Sequence, residues 1–304
     1  MQTPDKNNKQ SGKIRLSFSA LNSFHTCERK FQLERLLVGE MEKEDYPSTV
    51  LGHSFGKGVA TYLLTQDQKA SLYAAWMAYW PIVEEKKRNQ TIANNLLEAS
   101  FSHLDNIMED WEVATFKNKP AVELSFRLNI NETFYYVGYI DVILRNKWTG
   151  MYAVLENKTT ALQLFDLSPM YANSGQALGY SIVLDTIAGE EKSDYGVYYF
   201  VGQLGAGNGY QPQIHSLLFN KTLSDRYNWF ISMLMDVQRL ESMLEINVFP
   251  MRGHNCLQYM RPCRQFSTCQ LHALDQYKEP LVDEIEYDFV YELDAVIANH
   301  MERM

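Results

Sequence analysis

The sequence predicts an α/β fold. Three observations predict it. Apolar residues recur at helical spacing through the first third of the chain. The texture changes at Pro120 to stretches rich in β-branched and aromatic residues with partial alternation. A Ser168-Pro169 pair then opens a helix before further strand-like sequence. The order is helices, then β-β-β-α-β, then helices, with no internal repeat.

Residues 17–38 read as a helix that Ser17 or Ser19 can cap, with Leu21, Phe24, Phe31 and Leu33 at roughly helical spacing. Further helices are expected over 50–64, 69–88 and 90–114, with Pro81 kinking or breaking the middle one. Strands follow at 121–130, 133–145 and 150–158; NKWTG at 146–150 reads as the hairpin turn between the last two. The helix opened by Ser168 and Pro169 runs to about Ala188, and a strand covers 194–203. The glycine-rich stretch at 202–210 lacks the Lys-Ser/Thr of a phosphate loop and reads as a flexible connection to a strand near 212–220. A helix over 223–246, a cysteine-bearing tail and an acidic helix complete the chain. Residues 1–13 are polar and read as a disordered leader. Residues 14–304 read as one domain: a helical part (14–118), a sheet core (119–222) and a tail region (223–304).

Of the 304 residues, 46% are hydrophobic and 21% charged, which suits a globular protein with a sizeable core. No apolar run approaches the roughly 20 residues a membrane span needs. The leader has no apolar stretch of a secretory signal, so the cytoplasm is expected. A net charge of −9 argues against coating nucleic acid through bulk charge, but not against a local nucleic-acid groove.

The segment Met151–Leu155 is apolar and stops at Glu156, Asn157 and Lys158. In a strand, i and i+2 share a face, so Glu156 and Lys158 point together and Asn157 points away, leaving its backbone carbonyl as a possible ligand. A hairpin through NKWTG brings Asp141 near Glu156. Two carboxylates there repel one another, and a divalent cation with hard oxygen ligands removes the conflict. An ordinary strand-end ion pair is the plainer alternative for Glu156 and Lys158 alone. Three of the four cysteines, Cys256, Cys263 and Cys269, fall in one short segment; Cys27 lies far upstream. Thiolates suit zinc or an iron–sulfur cluster.

Asp followed one strand later by Glu-x-Lys, in GYID (138–141), LENKT (155–159) and QALGY (176–180), resembles the PD-(D/E)XK nucleases. It is most similar to their RecB/AddB branch, which includes CRISPR-adaptation exonucleases. The resemblance implies a restriction-endonuclease-like mixed sheet, a bacterial or phage source, and a DNA exonuclease using Mg²⁺ or Mn²⁺. Endonuclease action, or non-catalytic DNA binding on the same core, are the alternatives. It implies catalytic roles for Asp141, Glu156 and Lys158, with Gln176 and Tyr180, on one helix face, contacting DNA. Asp141, Glu156, Asn157, Glu123 and His53 are the implied metal ligands. His53 is a departure, because the branch's histidine aligns nearer Gly56. The branch's iron–sulfur members imply that Cys27, Cys256, Cys263 and Cys269 hold a 4Fe–4S cluster joining the N-terminal region to the tail. The first gap in the tail is longer here, and zinc, with His254 and His272 nearby, is the rival. Implied partners are DNA and proteins of recombination or CRISPR adaptation.

Overall fold

The computed structural model describes residues 12–37, 46–82, 85, 88–162, 164–205, 211–258, 261–269, 277–278, 283 and 285–304. A strand, β1 (Ile14–Leu16), leads into α1 (Phe18–Thr26), capped by the Ser17 hydroxyl, which accepts from the Ala20 amide at 3.3 Å. The single helix expected over 17–38 is interrupted. Cys27 is extended (φ −165°), and the chain resumes as α2 (Glu28–Phe31) and a π-helical turn, Gln32–Leu36. Next come α3 (Pro47–Thr65), with proline at a first-turn position that needs no amide donor, and α4 (Gln68–Ala78), capped by Asp67. The third, α5 (Gln90–Asp110), is capped by Asn89 and ends earlier than its apolar pattern suggests. Residues 111–113 instead form β2 (Trp111–Val113), which pairs with Leu144–Asn146.

A two-stranded ladder of β3 (Thr115–Phe116) and β4 (Lys119–Pro120) precedes β5 (Val122–Asn129), β6 (Phe134–Asn146) and β7 (Tyr152–Thr160). The helix expected to begin at Ser168-Pro169 begins sooner: α6 (Leu164–Ala172) carries Pro169 inside it. Then follow α7 (Gly175–Tyr180), a 3₁₀ turn Ser181–Val183, α8 (Leu184–Ala188), β8 (Asp194–Gln203), β9 (Gln213–Thr222) and α9 (Leu223–Ile246). Beyond a turn at Gly253–Asn255 lie β10 (Leu257–Gln258), β11 (Arg261–Pro262), β12 (Phe289–Glu292) and α10 (Leu293–Arg303). Part of the glycine-rich connection, 206–210, lies outside the described residues, as does the leader up to residue 11.

The fold is mixed α/β. Its sheet has the order β12–β5–β6–β7–β8–β9, with β1 and β2 also on β6. The β6–β7 and β8–β9 pairs are antiparallel, whereas β7–β8 is parallel and needs the α6–α8 crossover. The β6–β7 turn works as its composition suggests: Asn146 Oδ1 accepts from the Trp148 and Thr149 amides at 3.1 and 2.9 Å.

By contacts the chain forms two compact units. One comprises 43–125 and 139–229 with Met304; the other comprises 1–42, 126–138 and 230–303. In the first, α3 and α5 bury their apolar faces with β7 and β8, where Phe55 stacks on Phe200 at 6.0 Å. All of β8 beyond Asp194 is buried, as a strand packed on both faces requires, while β9, in which Ile214 alone is buried, alternates half-buried and exposed. In the other, Glu28 on α2 binds Arg239 of α9 and Arg252, and β12 runs parallel to Phe126–Asn129 of β5. Among the described residues no helix is long and apolar enough to cross a membrane.

Candidate functional site

The β6–β7 ladder ends at Val142 opposite Leu155. Beyond it the Asp141 side chain takes over as acceptor. Its Oδ2 receives the Asn157 amide at 2.9 Å and Asn157 Nδ2 at 3.2 Å. As strand alternation requires, the Asn157 side chain points away from Glu156 and Lys158: a Cβ on Gly56 of α3 would stand 3.8 Å from Asn157 Cβ, whereas Glu156 and Lys158 meet Gln176 of α7.

Glu156 is buried (4% exposed), and its Oε1 receives two donors, Lys158 Nζ and Gln176 Nε2, each at 2.7 Å. Gln176 Oε1 in turn accepts from Lys158 Nζ at 2.7 Å, and Gln176 Nε2 reaches the Tyr180 hydroxyl at 3.3 Å. One carboxamide thus bridges the acid and the ammonium. The i, i+4 spacing on α7 puts Gln176 and Tyr180 on that side together. The crossover geometry explains why: α7 belongs to the connection between parallel neighbours β7 and β8, which returns over the end of β7 where the charges sit.

Ser48, Thr49, Gly52, His53, Gly56, Lys57 and Ala60 of α3 form one wall of a cleft of about 380 Å³; Glu123, Asp141 and Glu156–Thr159 form the other. The Gly52, Gly56, Ala60 repeat every fourth residue marks the face of α3 turned to this cleft, a sequence signal that would have found Lys57 beside His53. His53 and Glu123 line the cleft without joining the Asp141–Glu156 network. Glu123 pairs with Lys57 at 2.7 Å instead, from a backbone with φ of 52°.

Burial raises the Glu156 carboxyl to about 7, against the pull of Lys158 and with a further push from Asp141. Burial also raises Asp141, opposed by the Asn157 bonds and Lys158. Among the described residues, Glu156 Oε2 and Asn157 Oδ1 are buried without a hydrogen-bond partner. Orphaned hard oxygens beside two acids that resist ionising are a donor set suited to a divalent cation. No three His, Cys, Asp or Glu side chains among the described residues stand close enough to one another to ligate a metal as placed.

Cys27, Cys256, Cys263 and Cys269 line one small cavity of about 30 Å³, with Lys30, Arg252 and Phe266 also on its wall. The Arg29 Nε donates to the Cys269 carbonyl at 3.2 Å, tying α2 to the tail. Burial pushes the Cys269 thiol up, eased by Arg29 and reinforced by the other three cysteines. Sulfur donors on one cavity fit a thiophilic group. His254 is not on the cavity wall, and His272 lies outside the described residues.

The profile of the PD-(D/E)XK nuclease superfamily matches residues 15–279. Among solved structures, a "putative exonuclease" from Eubacterium rectale is 14% identical, with 89% of this chain and 99% of that chain covered at a TM-score of 0.45. No curated protein matches.

Proposed function

We infer the reaction from this premise: the chain belongs to the PD-(D/E)XK nuclease superfamily. It hydrolyses phosphodiester bonds in DNA, using Mg²⁺ or Mn²⁺, and it works from DNA ends as an exonuclease. What carries the reading is the convergence of Asp141, Glu156, Lys158 and Gln176 at the end of β7, facing a cleft.

Asp141, Glu156 and Asn157 would hold the cation, with His53 and Glu123 as further ligands from the cleft walls. The bound ion supplies an acidified water and a polarised phosphoryl oxygen. The chain's own residues do the remainder. Lys158, which donates to Glu156 at 2.7 Å, places its ammonium where it offsets negative charge building on the phosphate oxygens. Gln176 fixes that ammonium by accepting from it while donating to Glu156. Tyr180, whose hydroxyl burial holds well above the usual phenol range, stays neutral and anchors Gln176.

The four cysteines hold a 4Fe–4S cluster in this reading, as in the iron–sulfur RecB/AddB branch, with zinc as the rival ligand. Their shared cavity supports the all-cysteine set. The role is structural, closing a long loop between Cys27 and the tail.

End-labelled linear DNA and covalently closed circular DNA, each with Mg²⁺ or Mn²⁺, test the reading. An exonuclease degrades the linear substrate and leaves the closed circle intact. Nicking or linearisation of the circle would make the enzyme an endonuclease, and no cleavage of either would end the proposal. Iron and zinc content together with visible absorbance decide the group at the cysteines.

A further inference from the structure

Helix α7 has six residues and two of them, Gly175 and Gly179, are glycine. A helix this short does not hold itself together, and each interior glycine costs it roughly 1 kcal/mol relative to alanine. Yet it carries Gln176, the bridge between Glu156 and Lys158. Its position therefore comes from packing, against β7 and, on the side of its glycines, against one turn of α9.

Trp229 fills the space that side chains at both glycines would occupy. A Cβ on Gly179 would stand 2.4 Å from Trp229 Cζ2, and one on Gly175 would stand 3.0 Å from Trp229 Cδ1 and Nε1. Three residues earlier on the same face, Arg226 is almost fully buried (1% exposed). Its guanidinium donates to the Ser181 hydroxyl at 3.1 Å, to the Ser181 carbonyl at 2.7 Å and to Asp185 Oδ2 at 2.9 Å. It also stacks over the Tyr195 ring at 3.7 Å. Arg226 thus pins the turn that follows Tyr180, while the indole sets how closely α7 approaches α9.

We propose that Arg226 and Trp229 form a clamp that sets the position of Gln176, and so of Lys158, for the reaction. Both are positioning residues: neither touches the acids. Glycine at 175 and 179 leaves the room the indole occupies. The proposal rests on the nuclease reading given above.

A double-mutant cycle with Gly179→Ala and Trp229→Ala tests it. In Gly179→Ala the new methyl displaces α7, so kcat on linear DNA falls about 10²-fold with little change in KM, as expected for misplacement on the ångström scale. Amide hydrogen exchange over 175–180, measured without metal or DNA, speeds up in the same variant. In the double variant the indole is gone and the methyl has room, so kcat and exchange are no worse than in Trp229→Ala alone. If the two losses multiply in the double variant, or Gly179→Ala keeps parental kcat and parental exchange, the clamp is wrong. Should Gly179→Ala not fold, Gly175→Ala, a milder clash, replaces it in the cycle. A parent protein inactive on DNA would sink the nuclease reading, and the exchange measurements would still decide the clamp.

Discussion

Glu156→Gln should stabilise the metal-free protein while removing activity, because the site holds a carboxylate where a neutral group is preferred. Burial lifts the Glu156 carboxyl from its ordinary 4.5 to about 7. The folded protein therefore binds this proton more tightly than the unfolded chain does. The stability contributed by that proton is complete below pH 4.5 and is lost as pH rises through about 7. The cost of the ionised side chain builds between those values and reaches about 3 kcal/mol by pH 8. Glutamine cannot ionise, yet its carbonyl can still accept from Lys158. In EDTA at pH 8 the variant should unfold with a free energy higher by about 3 kcal/mol, a rise in Tm of several degrees. At pH 4.5 or below the two proteins should nearly coincide. Urea titrations at the two pH values give the comparison. A variant less stable than the parent at pH 8, or a gain of equal size at both pH values, would refute the argument that burial governs this acid.

Three other outcomes follow from the geometry. Gln176→Ala takes from Lys158 one of its two acceptors and from Glu156 one of its two donors, so kcat on linear DNA should fall at least about tenfold with the melting temperature little changed. Gly58→Ala places a methyl 2.3 Å from Leu97 Cδ2 and 3.1 Å from Ala75 Cβ in the packed α3–α4–α5 core, and should destabilise by about 1–3 kcal/mol in urea without altering the metal requirement. On the proposed cysteine cluster, Cys269→Ser should lower bound metal and thermal stability together, read from metal content and melting; unchanged stability would remove the structural role.

The hairpin that brings Asp141 to the end of β7 was legible because NKWTG fixes the turn and the two-residue strand period then fixes the register. The Gln176 and Tyr180 pairing was legible from i, i+4 spacing. The turn of the Asn157 side chain away from Glu156 was legible from the same two-residue period; its bond to Asp141 was not, since it crosses between strands. Residues 111–113 continue an apolar helical pattern, but pairing with β6 overrides it, a long-range effect no local window contains. The Ser168-Pro169 start signal failed because Pro169 sits inside a helix that starts soon after the chain leaves β7. β12 is short and pairs with a strand more than 150 positions away, so nothing near it in sequence marks it. Arg226 and Trp229 carried no motif at all; only the structure places them against α7.

The central claim is that Asp141, Glu156 and Lys158 form one hydrolytic centre in which the lysine acts on the reaction rather than on binding the metal. Lys158→Ala, assayed on linear DNA beside the parent with Mn²⁺ affinity measured on both, tests it most directly. The predicted result is a loss of kcat of about 10²-fold or more with Mn²⁺ binding retained. Full activity in the variant would contradict the account.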